Sequence, residues 1–305
     1  MTDSPRGTGR IAGQPIIFGE VLFDSFPDGS SVLGGAPFNV AWHLQGFGVQ
    51  PLLVSRVGDD APGQRVLETM QAWGMETGGV QLDPHHPTGQ VQVEIHHGEP
   101  YYSILPRQAY DFITPPALEG NDHPLLYCGS LAIRAPGSRA ALDTLCERRP
   151  LPLFMDVNLR APWWEREEVM ERMRQARWVK LNEIELATLL EREIPPGEIA
   201  AAGEQLRARS GLEQLVITMG ANGAWVITAG DARFGSPVEV AEIADTVGAG
   251  DAFAAVTLLG LLRGWETPET LQRALEFAAR ICQQRGATAM DRALYDGFLE
   301  RWRNG

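Results

Sequence analysis

The chain of 305 residues is 44% hydrophobic and carries 26 basic against 39 acidic side chains, a formal net charge of −13. Its length suits one large α/β domain or two smaller ones, and the negative charge argues against nucleic-acid and anionic-membrane partners, which need clustered cations. Three widely separated cysteines form neither a disulfide framework nor a CxxC metal site, so we expect a reducing, cytoplasmic location.

The N-terminal stretch 1–14 is predicted to be a flexible polar tail, because it lacks the apolar segment of a signal peptide. Residues 15–305 are predicted to form the folded domain. The longest strongly apolar stretch, 252–262, is too short to span a bilayer. Lys180 is the only lysine, which excludes a GxxxxGK[ST] phosphate loop.

Short apolar runs alternate with helical patterns along most of the chain. This order predicts a mostly parallel sheet with crossover helices on both faces. The strand-like runs are "PIIFGEVLF", "PLLVSRV", "PLLYCG", "LPLFMDV", "RWVKL", "EQLVITM" and "AWVITA", and the helical patterns between them include "APFNVAWHLQGFG" and "EIAAAGEQLRARSG".

The segment 88–104 departs from this pattern. Val91, Val93 and Ile95 alternate with polar residues before a turn at "HGEP", which predicts a two-stranded hairpin. An isolated ribbon is marginal in water, so the hairpin should lean on the main sheet or on a partner chain. Two uses stay open: a lid over a site, which could also join two chains into a homodimer, or a plain edge extension.

The stretch 245–255, "DTVGAGDAFAA", precedes a segment that is apolar on nearly every face, as is typical of a buried helix. It places "VGAG" at the helix N-terminus, where unpaired amides and the helix dipole favour an anion. Asp251, in the first turn, would be an ionised base beside that anion, the pairing that phosphoryl transfer needs. The alternative is a simple N-cap and turn.

A second glycine-rich segment, "LGGAPFNVAWHLQGFG", lies early in the chain. Gly34 and Gly35 permit close backbone approach, and Asn39 would project from the first helical turn, where it suits a polyol hydroxyl or points to solvent. Polar clusters also follow several apolar strands, and strand ends border the ligand crevice of an open parallel sheet. These clusters are Asp24, Asp156 with Asn158 to Arg160, Asn182 to Glu185, and Thr218 to Gly223.

Together these residues resemble the ribokinase-like (PfkB) sugar kinases and, within that family, the fructokinases. The resemblance runs from "FGEVLFD" to "EFAARICQQRGA": "GGAPFNVA" and "DTVGAGDAFAA" look like the two family signatures, with "VGDDAPG", "DVNLR", "KLNEIE" and "TMGANG" between them. It implies a three-layer α/β/α fold with a mostly parallel central sheet and a small β-lid from segments around 24–34 and 88–112.

The implied activity is transfer of the γ-phosphoryl group of ATP to a hydroxymethyl group of a small sugar, fructose first. The alternatives are 2-dehydro-3-deoxygluconate and ribose, and, from another class, a non-catalytic sugar or nucleotide sensor. A Rossmann dehydrogenase is disfavoured because no GxGxxG follows the first strand.

The resemblance also implies a role for each matching residue. Asp251 would be the catalytic base, and the amides of Gly248, Ala249 and Gly250 would form the anion hole. The sugar would be held by Asp24, Gly34, Gly35 and Asn39, with Arg107 and Arg160 as candidate contacts to substrate or phosphate. ATP would be bordered by Asn182, Glu185, Thr218, Gly220 and Gly223. Glu185 would organise Mg²⁺ through water, and Asp245 and Thr246, with the "RGAT" loop, resemble a K⁺ site.

Three further features have less specific interpretations. Lys180 shares a strand face with Asn182, so it could contact phosphate or form a structural ion pair. The pairs His85/His86 and His96/His97 are expected to be surface histidines, because strand neighbours point to opposite faces. The pair Trp163/Trp164 is expected to pack against its surroundings or to shape the sugar pocket.

Overall fold

The computed structural model describes residues 13–96, 99–118, 123–148, 150–240 and 242–304. The predicted N-terminal tail therefore lies almost wholly outside the described residues. The strands are β1 Ile16–Phe18, β2 Leu22–Ser25, β3 Ser31–Gly34, β4 Leu52–Gly58, β5 Val80–Asp83, β6 Gly89–His96, β7 Glu99–Ile104, β8 Leu126–Gly129, β9 Leu153–Asp156, β10 Trp178–Asn182, β11 Gln214–Thr218, β12 Ala224–Thr228 and β13 Asp231–Gly235. The α-helices are α1 Ala36–Gly46, α2 Ala61–Trp73, α3 Pro136–Arg148, α4 Arg166–Gln175, α5 Glu183–Leu190, α6 Ile199–Ser210, α7 Ala249–Arg263, α8 Thr267–Ile281 and α9 Arg292–Asn304.

A nine-stranded sheet forms the centre of the fold, in the order β13-β12-β11-β10-β9-β8-β1-β4-β5. All pairs from β5 to β11 are parallel, while β12 and β13 join antiparallel. Alternate strand residues such as Ile17 and Ile16 belong to separate hydrophobic cores, with α1, α2, α7, α8 and α9 on one face and α3, α4, α5 and α6 on the other. The predicted three-layer, mostly parallel α/β/α class is confirmed.

The first predicted strand is in fact two strands in two sheets. The run "PIIFGEVLF" is interrupted at Gly19, which has φ of 154° and lies against the first turn of α1: a Cβ there would be 2.3 Å from Pro37 Cγ. The chain leaves the main sheet at this point, and β2 pairs elsewhere. Asp24 therefore lies within β2, opposite Val32 and Val91, and our expectation that it follows the end of a main-sheet strand was wrong.

A second, four-stranded sheet has the order β3-β2-β6-β7. The predicted hairpin is confirmed as β6 and β7, which pair antiparallel with Val91 opposite Ile104. It does not extend the main sheet, because β6 pairs in parallel with β2 instead, with Leu22 opposite Gly89. His97 lies outside the described residues, whereas His85 is exposed and His86 half-buried against Phe112 at 3.7 Å between ring centroids.

The helix that follows "VGAG" is buried as predicted. In α7, every residue from Ala252 to Gly260 is buried, and Gly248 caps its start in the left-handed conformation at φ of 80°. A helix surrounded by apolar side chains has a fixed axis, so its first turn is held firmly in place. Among the described residues, no helix is both long and apolar enough to cross a membrane.

Candidate active site

The polar residues at the strand ends meet at one edge of the main sheet. Asp156, Asn182 and Thr218 are the last residues of β9, β10 and β11, which are adjacent and parallel. Lys180 lies opposite Asp156, and Asn182 lies opposite Thr218. The sequence-predicted clusters, apart from Asp24, therefore border one crevice, as the general rule for open parallel sheets requires.

Asp251 and Asn39 meet in this crevice although 212 residues separate them. Asn39 Nδ2 donates a hydrogen bond of 2.7 Å to Asp251 Oδ2, so the expectation that Asn39 points to solvent is wrong. Burial raises the pKa of Asp251 to about 6, and the hydrogen bond from Asn39 partly offsets that rise. Asp251 is therefore ionised at neutral pH and still basic enough to accept a proton.

The turn before Asp251 leaves several backbone amides without acceptors. Ala249 N donates a long bond of 3.3 Å to Thr246 O, and Ala252 N donates to Gly248 O at 2.9 Å. Within the described part of the chain, the amides of Gly248, Gly250 and Asp251 donate to no protein acceptor. Unpaired amides at the positive end of a helix form a cradle for an anion.

A buried ion pair lies beneath this cradle. Lys180 Nζ is 2.9 Å from both carboxylate oxygens of Asp156, which confirms the ion-pair interpretation of this lysine. Burial acts to lower the pKa of Lys180, but Asp156 and the nearby Glu185 outweigh it and hold that pKa above its ordinary value. A Cβ on Gly250 would be 3.5 Å from Lys180 Nζ, so the ammonium group lies directly beneath the start of α7.

A small open space lies between the second sheet and α1. A Cβ on Gly34 would be 3.9 Å from Asp24 Oδ2 and 4.0 Å from Asn39 Oδ1, so these two oxygens face the same gap. Asn39 Oδ1 is buried with no hydrogen-bond partner among the described residues. Gly35 has φ of 108°, and a Cβ there would be 2.6 Å from Glu20 O. These acceptors suit the hydroxyl groups of a polyol.

The two candidate arginines behave differently. Arg160 is exposed, donates from Nη1 to Leu159 O at 3.2 Å, and lowers the pKa of both Asp24 and Asp251. Burial is the larger influence on Asp24 and raises its pKa to about 6. Arg107 is exposed at φ of 55°, and its charge is not among the causes that shift either carboxyl group. The structure thus brings Arg160, and not Arg107, to the acidic groups of the crevice.

A family model described as pfkB family carbohydrate kinase matches residues 21–293. The chain belongs to this family. It is therefore a sugar phosphotransferase.

The individual relatives include kinases that are named for different sugars. The kinase is 30% identical to a fructokinase of Klebsiella pneumoniae over 82% of this chain and 84% of that protein. It is also 26% identical to a 5-dehydro-2-deoxygluconokinase of Shouchella clausii, over 79% and 77% of the two chains. A fructokinase of Vibrio cholerae O395, solved with fructose, ADP and calcium ion, matches with a TM-score of 0.79 at 26% identity over 94% of this chain and 99% of that chain. A double mutant of the same protein was solved with potassium ion.

The NxxE segment of the kinase caps α5. Asn182 Oδ1 accepts from Glu185 N at 2.8 Å, and Glu185 Oε2 accepts from Asn182 N at 2.8 Å. Glu185 Oε1 accepts from Leu159 N at 2.8 Å, which ties the helix to the loop after β9. Burial raises the pKa of Glu185, and these backbone hydrogen bonds and Lys180 work against that rise. No group of three or more His, Cys, Asp or Glu side chains suits a metal within the described ranges.

The predicted nucleotide-binding residues form a loop at the end of β11. Thr218 Oγ1 donates to Leu181 O at 3.5 Å, and Gly220 to Asn222 form an exposed single turn. Gly223 has φ of 92°, and a Cβ there would be 2.2 Å from Gly235 O, so only glycine allows β13 to approach this closely.

Asp245 connects the cradle to the "RGAT" loop. Its Oδ1 accepts from Val247 N at 3.0 Å, and its Oδ2 accepts from Gly286 N at 3.1 Å. A Cβ on Gly248 would be 2.3 Å from Ala287 Cβ, so the same loop supports the start of α7. The two segments predicted to form a K⁺ site, one of them containing Thr246, are therefore adjacent.

Sequence reasoning missed a buried acidic group, Glu20, at the end of β1. It is 2% exposed, and its pKa is affected by the charges of Asp251, Arg160 and Arg134. Its place two residues after a buried strand is the signal that could have identified it, because the rule for parallel sheets locates the crevice at the ends of strands. The run "PIIFGEVLF" was predicted to be a single strand, so the residue expected at its end was Asp24.

The pair Trp163/Trp164 lies to one side of the crevice. The Arg134 guanidinium lies over the Trp163 ring at 4.4 Å. Both tryptophans line a separate cavity of about 890 Å³ between α3 and α4. Both rings are half-buried and pack against the hydrophobic core on the side of α3 to α6, which agrees with the packing interpretation of this pair.

Proposed function

We propose that this kinase transfers the γ-phosphoryl group of ATP to a hydroxymethyl group of fructose. The observation that carries the proposal is the set of acidic groups around the space for the sugar. Glu20, Asp24 and Asp251 are grouped there, and the cation that acts on all three is the exposed Arg160. Such a site suits a neutral polyhydroxylated substrate, whose hydroxyl groups can donate to carboxylate oxygens. The fructokinase relatives support the same choice.

An acidic sugar such as 2-dehydro-3-deoxygluconate fits this site less well. Its carboxylate would need a cation of its own. Arg134 donates to Asp111 from Nε and Nη2 at 2.8 and 2.9 Å, and Lys180 is paired with Asp156, so the charge of each is already balanced by a carboxylate. Nη1 of Arg134 keeps a donor without a partner among the described residues. That substrate would also approach the carboxyl groups of Asp24 and Asp251, whose negative charge opposes its binding.

The chemistry follows from the start of α7. Asp251 accepts the proton of the attacking hydroxyl, and Asn39 fixes the carboxylate in position. The amides of Gly248 and Gly250, which donate to no acceptor in the described part of the chain, stabilise negative charge on the transferring phosphoryl oxygens. The amide of Ala249 joins them by giving up its long bond to Thr246 O. Gly34, Gly35, Asp24 and Arg160 line the acceptor space on the opposite side.

ATP and two cations complete this proposal. Asn182, Thr218, Gly220 and Gly223 border the nucleotide. Mg²⁺ would supply charge neutralisation on the phosphates. Glu185 fits a water-mediated contact to it, because each carboxylate oxygen accepts only one hydrogen bond from the backbone and keeps a second acceptor position. Carbonyl and carboxylate oxygens around Asp245 and Thr246 suit K⁺.

The second sheet is proposed to act as a lid. Its strands β2 and β6 carry Asp24 and Val91 side by side, so the sheet holds one wall of the acceptor space. Val32 and Tyr102 are exposed large side chains on this sheet, 44% and 50% accessible. A homodimer formed through the lid would cover them, and sedimentation at several concentrations tests this.

A coupled ADP-release screen tests the substrate. Fructose, ribose and 2-dehydro-3-deoxygluconate are compared at equal concentration, with Mg²⁺ and with or without K⁺. We expect fructose to give the largest kcat/KM and K⁺ to raise turnover. A larger kcat/KM for the acidic sugar would overturn the fructose assignment, and ADP release from none of them would favour a non-catalytic sensor.

A further inference from the structure

A second carboxyl group, on Glu20, lies beside the proposed base. Glu20 lies two residues beyond the end of β1 and is 2% exposed. Its Oε2 is buried and has no hydrogen-bond partner among the residues that the structure describes. Burial raises the pKa of Glu20 to about 8; its own backbone amide partly offsets this, and the charge of Asp251 adds to it. The two carboxyl groups therefore interact electrostatically.

The groups that face Glu20 do not neutralise a charge on it. Arg134 gives two hydrogen bonds to Asp111 and its Nη1 is buried without a partner, while Arg160 is exposed, where water screens its charge. Both charges lower the pKa of Glu20, but burial outweighs them, and neither arginine forms an ion pair with Glu20 among the described residues. A buried carboxylate without a close counter-ion is strongly disfavoured relative to the protonated acid. The remaining titratable groups that act on Glu20 are neutral because burial raises the pKa of each: Tyr110, Tyr127 and Cys128.

Asp251, unlike Glu20, has a side-chain hydrogen-bond donor and a helix dipole that stabilise its negative charge. It accepts a 2.7 Å hydrogen bond from Asn39 and stands in the first turn of α7, where the helix dipole favours a negative charge. A single negative charge shared between the two carboxyl groups is therefore more stable on Asp251. The proton is more stable on Glu20.

We propose that Glu20 is a positioning residue of the phosphoryl transfer: it holds a proton in the active enzyme, so that the pair carries one negative charge and that charge lies on Asp251. This proposal rests on the proposed role of Asp251 as the base. When Glu20 loses its proton at higher pH, a second negative charge opposes the phosphoryl oxygens in the cradle. Turnover should then fall even though Asp251 remains ionised.

The test is the pH dependence of kcat with fructose and ATP, between about pH 5 and pH 10, in three variants. We expect the wild-type kcat to fall above about pH 8, and Glu20→Gln to remove that decline, so that at the alkaline end it exceeds wild type by about tenfold. Glu20→Asp restores a titrating carboxyl group and with it the decline. Glu68→Gln, which changes an exposed carboxylate on α2, should follow wild type. An unchanged alkaline decline in Glu20→Gln would overturn the proposal.

A spectroscopic readout covers the case in which a variant folds poorly. Infrared difference spectra between acidic and alkaline wild-type enzyme should contain the carbonyl band of a protonated carboxyl group that disappears as the pH passes about 8. Absence of that band in wild type contradicts the proposal directly. Asp251→Asn is assayed alongside: if it keeps turnover, the proposed base is wrong. If it loses turnover while Glu20→Gln matches wild type at every pH, only the role of Glu20 fails.

Discussion

The crevice contains two kinds of buried carboxyl group, and they differ in whether a cation is committed to them. Asp156 is held by Lys180, and Asp111 is held by Arg134, each through two hydrogen bonds. Asp251 and Glu20 have no such cation, and burial raises the pKa of each. The paired carboxylates have a cation that balances their charge and therefore support the structure. The raised pKa values of Asp251 and Glu20 bring these two groups toward the neutral range, where they can exchange a proton.

The largest effect is expected from removing the unpaired base. Asp251→Asn should lower kcat by roughly 10²–10⁴-fold, because the amide cannot accept the hydroxyl proton. Stability should not fall: because burial raises the pKa of Asp251 from 3.8 to about 6, its contribution to the free energy of unfolding is lost between about pH 4 and pH 6, and at neutral pH the amide has no charge to bury. Steady-state assays and thermal melts at neutral pH measure both quantities. A variant that keeps wild-type turnover contradicts the proposed mechanism.

Removing the cation from a paired carboxylate should, in contrast, lower the stability of the fold. Lys180→Met leaves Asp156 charged and buried, and we expect the free energy of unfolding to fall by about 3–5 kcal/mol. The double variant Lys180→Met/Asp156→Leu removes the orphaned charge and should recover most of that loss. Urea unfolding of both variants measures this. Equal stabilities of the single and double variants would show that the pair is not a structural unit.

The hydrogen bond to the base can be tested on its own. In Asn39→Ala the Asp251 carboxylate loses a donor that lowers its pKa, so the acid limb of kcat/KM, expected near pH 6, should move up. We expect about one pH unit, the value of one charge-assisted hydrogen bond at about 1.4 kcal/mol. Gln81→Ala is the control, because it removes a side-chain amide that donates to Thr114 O and bonds to neither Asn39 nor Asp251. An unmoved acid limb would mean that the contact does not tune the base.

The smallest effect is expected from a substitution in the acceptor space, the gap between Asp24 and Asn39. Gly34→Ala adds a methyl group whose nearest neighbours, Asp24 Oδ2 and Asn39 Oδ1, are 3.9 and 4.0 Å away, so the fold should accept it. The methyl group occupies part of the gap between the two acceptors, and KM for fructose should rise roughly tenfold while KM for ATP stays unchanged. Gly197→Ala, with nothing within 4 Å, is the matched control. A rise in KM for ATP instead would place the sugar elsewhere.

Local motifs explain how much of the site was predictable. The start of α7 depends on glycines and an apolar run that are contiguous in sequence, so the position of Asp251 in a first helical turn could be predicted directly. Asn39 and Asp251 lie 212 residues apart, and only resemblance to a family connected them before the structure. Their hydrogen bond depends on α1 packing against α7, which no local pattern encodes.

The same reasoning explains the errors. The run "PIIFGEVLF" is continuously apolar apart from its glycine and glutamate, and a continuous apolar run does not show where a strand changes sheets. The change at Gly19 depends on contact with Pro37 in α1, which is a tertiary effect. Glu20 was missed for that reason, and the pairing of Arg134 with Asp111 was missed because ion pairs between distant loops have no sequence signature.

The burial of Lys180 has a practical consequence for handling the protein. It is the only lysine in the sequence, and it is 6% exposed beneath the start of α7. Amine-selective reagents therefore find no accessible lysine side chain in the folded state, and conjugation at this residue requires the crevice to open. The rate at which such a reagent modifies Lys180 therefore measures how often the crevice opens. Mass spectrometry of the single peptide that contains Lys180 can follow this rate.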